Sequence, residues 1–222
     1  MCFYSIFSLL GYSYHKAFAT RTKEEKNTEQ AFRRSFELGF GTETDIRDFN
    51  GELVISHDIA TKDSMPLIKF LSIYNEYDSD ISLPLALNIK SDGLQSLLLD
   101  VIDDFKIKDY FLFDMSLPDS ITTIKSGLNS YQRLSEYEPT SELIEQVAGT
   151  WLDGFSSEWY NNSTIQQLML YNKEVCIVSS ELHNRKHESQ WHNLYEIVDE
   201  NQQLMLCTDL PEEAQAFFVN KR

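Results

Sequence analysis

Short runs rich in β-branched and aromatic residues alternate along this chain with segments whose apolar positions recur at helical spacing. The pattern predicts strands over residues 11–15, 41–46, 83–90, 110–115, 128–134, 150–154, 174–179 and 204–208. Helical patterns fall between and after them, over residues 28–38, 66–77, 94–105, 118–126, 140–147, 163–171, 189–201 and 211–219. Boundary residues agree with this division. Asn27 with Gln30 makes an N-x-x-Q helix start, and Gly39 after Leu38 supplies a stop. Pro66 and Pro211 stand where a first helical turn accepts proline.

Repeated strand-then-helix units imply parallel strands joined by right-handed crossovers. Closing eight of them into a (β/α)8 TIM barrel is the economical α/β arrangement for 222 residues, at the short end for that fold. Residues 1–222 therefore read as one barrel domain. A doubly wound open sheet is the alternative, but no glycine-rich dinucleotide fingerprint follows the first strand. Asn50-Gly51, followed by the apolar run 53–57, adds a β-hairpin after the second strand.

Composition narrows the classes. With 42% hydrophobic and 13% aromatic residues the chain can bury a full core, which excludes a disordered chain. Nineteen basic against 35 acidic residues give a net charge of −16, the wrong sign for coating nucleic acid. No apolar stretch approaches the roughly 18 residues of a membrane-spanning helix, so no transmembrane segment is expected. The apolar start at residues 2–10 lacks the basic flank and cleavage site of a signal peptide. Cys2, Cys176 and Cys207 form no disulfide framework and read as reduced thiols of a cytoplasmic protein.

In a β/α barrel the reacting groups lie at the C-terminal ends of the strands. Those ends hold His15, the Glu43/Asp45 pair, His57-Asp58 on the hairpin, and Asn88 with Lys90. Glu43 and Asp45, two apart, share one face of a strand. Their carboxylates would lie roughly 6–7 Å apart and repel by about 2.5 kcal/mol at an effective dielectric near 20. Water offsets that repulsion at a surface, and a divalent cation offsets it inside a mouth. Two carboxylates without soft ligands favour Mg²⁺, Ca²⁺ or Mn²⁺ over zinc. Lys90 follows an apolar strand, where an ammonium is costly unless an anion such as phosphate, Glu43 or Asp45 pairs with it. Asn88 can offer a carbonyl oxygen to a hard cation. His15 and His57 suit acid–base work near neutral pH. His183, His187 and His192 lack the cysteine partners and clear spacing of a zinc site.

The order of these residues resembles the glycerophosphodiester phosphodiesterase family. The resemblance lies in Tyr14-His15-Lys16, Asn27-Thr28 with Ala31-Phe32, Gly41-Thr42-Glu43-Thr44-Asp45, Ile55-Ser56-His57-Asp58, Leu87-Asn88-Ile89-Lys90 and Cys207-Thr208-Asp209-Leu210-Pro211. It is dense from His15 to Lys90 and sparse beyond. It implies a β/α barrel that hydrolyses a small-molecule phosphodiester with a divalent cation. By the same resemblance Glu43 and Asp45 match metal ligands, with Asn88 at the third. His15 matches the base and His57 the acid, while Lys16 and Lys90 face the phosphate.

This chain departs from the family pattern in ways that bear on activity. His-Arg-Gly has become His15-Lys16-Ala17, exchanging a forked guanidinium for a single ammonium. Asn88 stands where the third acidic ligand is expected, removing one negative charge; Glu136 and Glu138 are candidates to replace it. Residues 59–82 hold barely one helix, leaving little room for a substrate-covering insert. The departures keep a second reading in play, a barrel that binds a phosphorylated ligand without turnover, for which a surface-polysaccharide pathway is one setting. A third is another metal-dependent barrel enzyme, such as a lyase acting on a phosphate ester.

Overall fold

The computed structural model describes residues 5–8, 27–77, 83–170, 173–198 and 204–219. The chain divides into two compact units, residues 1–4 with 19–130, and residues 5–18 with 131–222. Strand β1 (Ser5–Ser8) belongs to the second unit. In the first unit come α1 (Glu29–Glu37), β2 (Gly41–Phe49), β3 (Glu52–Ile55), β4 (Met65–Pro66), α2 (Leu67–Asn75), β5 (Leu85–Ile89), α3 (Gln95–Phe105), β6 (Tyr110–Phe113) and α4 (Leu117–Lys125). The second unit follows with β7 (Tyr131–Leu134), β8 (Gly149–Leu152), α5 (Asn162–Leu170), β9 (Glu174–Val178), α6 (Glu188–Ile197), β10 (Leu204–Thr208) and α7 (Pro211–Val219).

Helix α1 begins one residue later than the sequence suggests. Thr28 is the cap, its hydroxyl accepting from the Ala31 N–H at 3.3 Å, while Asn27 turns into it at φ 56°. The helix buries Ala31, Phe32 and Phe36 against α2, where the Phe32 and Phe70 rings meet edge to face at 4.5 Å. Beneath them β2, β5 and β6 run parallel, with Asp45 opposite Asn88 and Asn88 opposite Phe113. Gly41 opens β2 because a Cβ there would lie 2.3 Å from the Pro84 carbonyl oxygen. Beyond the parallel register, β2 continues into an antiparallel pairing with β3, and Asn50 (φ 52°) and Gly51 (φ 86°) make the turn. Short β4 pairs antiparallel with β3.

In the second unit β7, β8, β9 and β10 form a parallel set, so the α/β alternation with parallel strands is present in both units. Two elements differ from expectation. The strand expected over residues 11–15 lies outside the described residues, and the described β1 runs antiparallel to β10. The helix expected over residues 140–147 is a single 3₁₀ turn, Glu142–Glu145. Ser141 caps it, its hydroxyl accepting from the Leu143 N–H, and the Gln146 N–H bonds back to the Leu143 carbonyl at its end. The unit's core includes Trp151, Trp191, Leu206, the buried thiols Cys176 and Cys207, and Phe218. Gln190 is buried among polar partners: its amide donates to the Tyr160 hydroxyl (2.7 Å) and the Val178 carbonyl (3.0 Å), and its carbonyl accepts from the Ser180 N–H (2.8 Å).

Among the described residues no helix is long and apolar enough to cross a membrane. The aromatic contact between α1 and α2 gives the first prediction. Phe70 is fully buried, so Phe70→Ala is expected to lower the unfolding free energy by about 3–5 kcal/mol through lost burial and a residual cavity. Urea unfolding followed by circular dichroism measures it; a loss under about 1 kcal/mol would mean that this packing does not hold the unit together.

Candidate functional site

The alternation of β2 separates two kinds of polar chemistry. On one face, Thr42 donates its hydroxyl to Ser35 at 3.3 Å and Thr44 donates to the Asn27 side-chain oxygen at 3.4 Å, tying the strand toward α1. On the other face lie Glu43 and Asp45, each only 2% exposed. Water does not offset their repulsion, so the surface reading of the pair is excluded.

Lys90 follows β5, its N–H bonded to the Ile46 carbonyl at 3.0 Å. Its ammonium lies 3.4 Å from Asp45 Oδ1 and 3.5 Å from Asp114 Oδ2. Asn88, next to Asp45 in the strand register, hydrogen-bonds to Glu43. Three oxygens in this group are buried without a hydrogen-bond partner: Glu43 Oε2, Asp45 Oδ2 and Asn88 Oδ1. Burial, followed by the charge of Asp45, pushes the Glu43 carboxyl well above the usual range. Burial also raises Asp45, against the pull of Lys90 and then of His57.

The hairpin brings His57 to this group. The Ser56 N–H donates to the Asp45 carbonyl at 3.0 Å, and Arg47 donates twice to the His57 carbonyl at 3.2 Å. His57 Nδ1 lies 3.0 Å from Asp58 Oδ1, an arrangement that places the proton on Nδ1 and leaves Nε2 as the basic nitrogen. Glu43, Asp45, Asn88, Lys90 and His57 are therefore gathered in the first unit. His15 and Lys16 lie outside the described residues.

Asp114 is the member that the sequence reading passed over. It directly follows the apolar β6 and adopts φ 72°, a left-handed conformation unusual for a residue with a side chain. An acidic residue straight after an apolar parallel strand was the available signal. Glu136 and Glu138, considered as substitute ligands, are engaged within the second unit. Glu136 accepts from the Phe155 and Ser156 N–H groups at 3.0 and 2.6 Å, and Glu138 pairs with Arg133. The three C-terminal-half histidines have separate roles. His183 meets Asp153, His187 packs on Trp191, and His192 contacts the Glu188 carbonyl.

Among the described residues no three His, Cys, Asp or Glu side chains are grouped to hold a metal. The candidate donors are instead two carboxylates and one amide oxygen, a hard set in which water would complete the coordination. The formal charges fit. Once an ion displaced the Glu43 proton, Glu43, Asp45 and Asp114 against Lys90 would carry two net negative charges, matching a divalent ion, and the orphaned oxygens are what such an ion would satisfy.

No protein-family model matches the sequence, and no curated protein matches it. The fold is similar to that of a glycerophosphodiester phosphodiesterase from Agrobacterium tumefaciens str. C58, with a TM-score of 0.56. The likeness covers 82% of this chain and 90% of that one at 12% sequence identity, and it establishes the fold.

The raised Glu43 carboxyl has a thermodynamic consequence. The folded chain holds a proton there that the unfolded chain releases near the ordinary value of 4.5. That stabilisation is full below the ordinary value and is lost as pH rises through the raised native one. Glu43→Gln removes the dependence. Without added cation it is expected to melt higher than the parent at neutral pH, by roughly 2–4 °C for each kcal/mol relieved. It should also lose less stability between about pH 5 and pH 8. Thermal melts across that range decide it; parallel pH slopes for parent and variant would contradict the assignment.

Proposed function

We propose that the chain is a metal-dependent phosphodiester hydrolase, with Glu43, Asp45 and Asn88 holding Mg²⁺, Ca²⁺ or Mn²⁺. The observation that carries this reading is the set of three buried oxygens without partners beside the Lys90 ammonium. The fold likeness to a glycerophosphodiester phosphodiesterase supports it.

A divalent ion bound there would supply Lewis-acid stabilisation of charge on the phosphate oxygens. Lys90, already between two carboxylates, turns toward the entering phosphate and shares its negative charge. By the family resemblance, Lys16 would make a second phosphate contact. Attack of a water or substrate hydroxyl on phosphorus forms one P–O bond and breaks another. His15 takes the proton of the attacking group, and His57 gives a proton to the departing alkoxide. Asp58 at Nδ1 orients the His57 ring for that transfer.

Asn88 in place of a third carboxylate favours one other reading, binding of a phosphorylated ligand without turnover. The purified protein is expected to hydrolyse bis(4-nitrophenyl) phosphate or glycerophosphocholine with added Mg²⁺, Ca²⁺ or Mn²⁺, and to lose activity on chelation. His57→Ala should cost about 10²–10⁴ in rate. Unchanged turnover in that variant would remove His57 from the mechanism. Calorimetric binding of glycerol phosphate without hydrolysis under every metal would favour the binding reading.

A further inference from the structure

Beyond the strand ends of β7 and β8, the second unit places aromatic side chains in the open. Tyr137 is 70% exposed and Phe155 37% exposed. Their ring centroids are 6.2 Å apart with planes inclined at 36°, which makes a shallow shared platform. Exposed apolar surface is a cost, and this surface is also firmly held. Glu136 fixes the backbone of Phe155 and Ser156, and the Tyr137 hydroxyl lies 3.3 Å from Ser156 Oγ. The guanidinium of Arg133 lies 5.8 Å from the Phe155 ring centroid.

A polar reader stands at the platform's edge. The His183 ring meets Phe155 edge to face at 5.2 Å, and its Nε2 lies 2.7 Å from Asp153 Oδ1. Asp153 is itself buried, and the same oxygen accepts from the Gly154 N–H at 2.7 Å. The carboxylate fixes the imidazole proton on Nε2 and leaves Nδ1 as an acceptor.

The geometry points to a binding site for an uncharged cyclic polyol, a pyranose sugar or a cyclitol, stacked on Tyr137 and Phe155 and read at one hydroxyl by His183. An aromatic face carries negative quadrupole charge and attracts the weakly positive C–H face of such a ring. The ring's hydroxyls project outward from that face, where a hydrogen-bond acceptor is useful. Arg133 is paired with Glu138, and the Glu136 carboxylate is engaged by backbone N–H groups, so neither is available to pair with an ionic ligand. A flat aromatic hydrocarbon without an N–H or O–H donor would use the rings but leave the imidazole acceptor idle. The inference concerns binding alone and stands whether or not the chain hydrolyses phosphodiesters.

Saturation-transfer NMR on the full chain tests it, with methyl β-glucopyranoside, methyl β-galactopyranoside and myo-inositol as probes and glycerol as the acyclic control. Transfer to the ring C–H protons of at least one cyclic probe is expected, with none to glycerol. The Tyr137/Phe155 double alanine variant should abolish the transfer, and His183→Phe should raise the Kd by about tenfold, equivalent to one lost hydrogen bond. If the double variant does not fold, Tyr137→Ala decides, because that side chain is mostly exposed. Absence of transfer to every cyclic probe, or transfer that survives removal of the Tyr137 ring, overturns the proposal.

Discussion

The ammonium of Lys90 sits between the carboxylates of Asp45 and Asp114, and the polar interior of the first unit depends on that contact. Buried carboxylates side by side on β2 repel one another, and burial alone already disfavours their ionised forms. One cation relieves part of that tension. It does not satisfy Glu43 Oε2, Asp45 Oδ2 or Asn88 Oδ1, so the site retains capacity for further positive charge. The opposite face of β2 has no such tension, because Thr42 and Thr44 meet neutral partners near α1. A single strand thus divides its alternate residues between anchorage and chemistry.

Glu181, at the strand ends of the second unit, is a carboxylate of another kind. Glu181 accepts from the hydroxyls of Ser179 and Thr208 and from the Asp209 N–H, joining the ends of β9 and β10. Gln190 and Trp191 of α6 then bond back to Val178, Ser180 and Ser179. These bonds consume the acceptors they use. A carboxylate with three donors around it has little left for a ligand, whereas the orphaned oxygens beside Lys90 do. The Thr208-Asp209 segment resembles a family motif in sequence, and here it serves to hold two strands together.

Much of the α/β rhythm was legible because parallel strands buried on both faces read as short apolar runs, as at β5 and β10. Glu43, Asp45, Asn88, Lys90 and His57 were legible from order and spacing. Asp114 was not, since its contact with Lys90 depends on β6 lying beside β5 and on a left-handed residue after the strand. The pairing of Asp153 with His183 was equally hidden, because thirty residues separate the partners. Local competition explains the smaller differences. Asn27 and Thr28 both suit a helix cap, and only the turn at Asn27 selects Thr28. The stretch at 140–147 has helical spacing, but it forms one 3₁₀ turn between the Ser141 cap and Gln146.

The distribution of tryptophan has a practical consequence. Trp151, Trp159 and Trp191 all lie in the second unit, and residues 19–130 contain none. Indole fluorescence therefore reports on one half of the molecule and is blind to the half that carries the carboxylate site. A probe placed near Lys90 by introducing a tryptophan would let the two halves be watched independently.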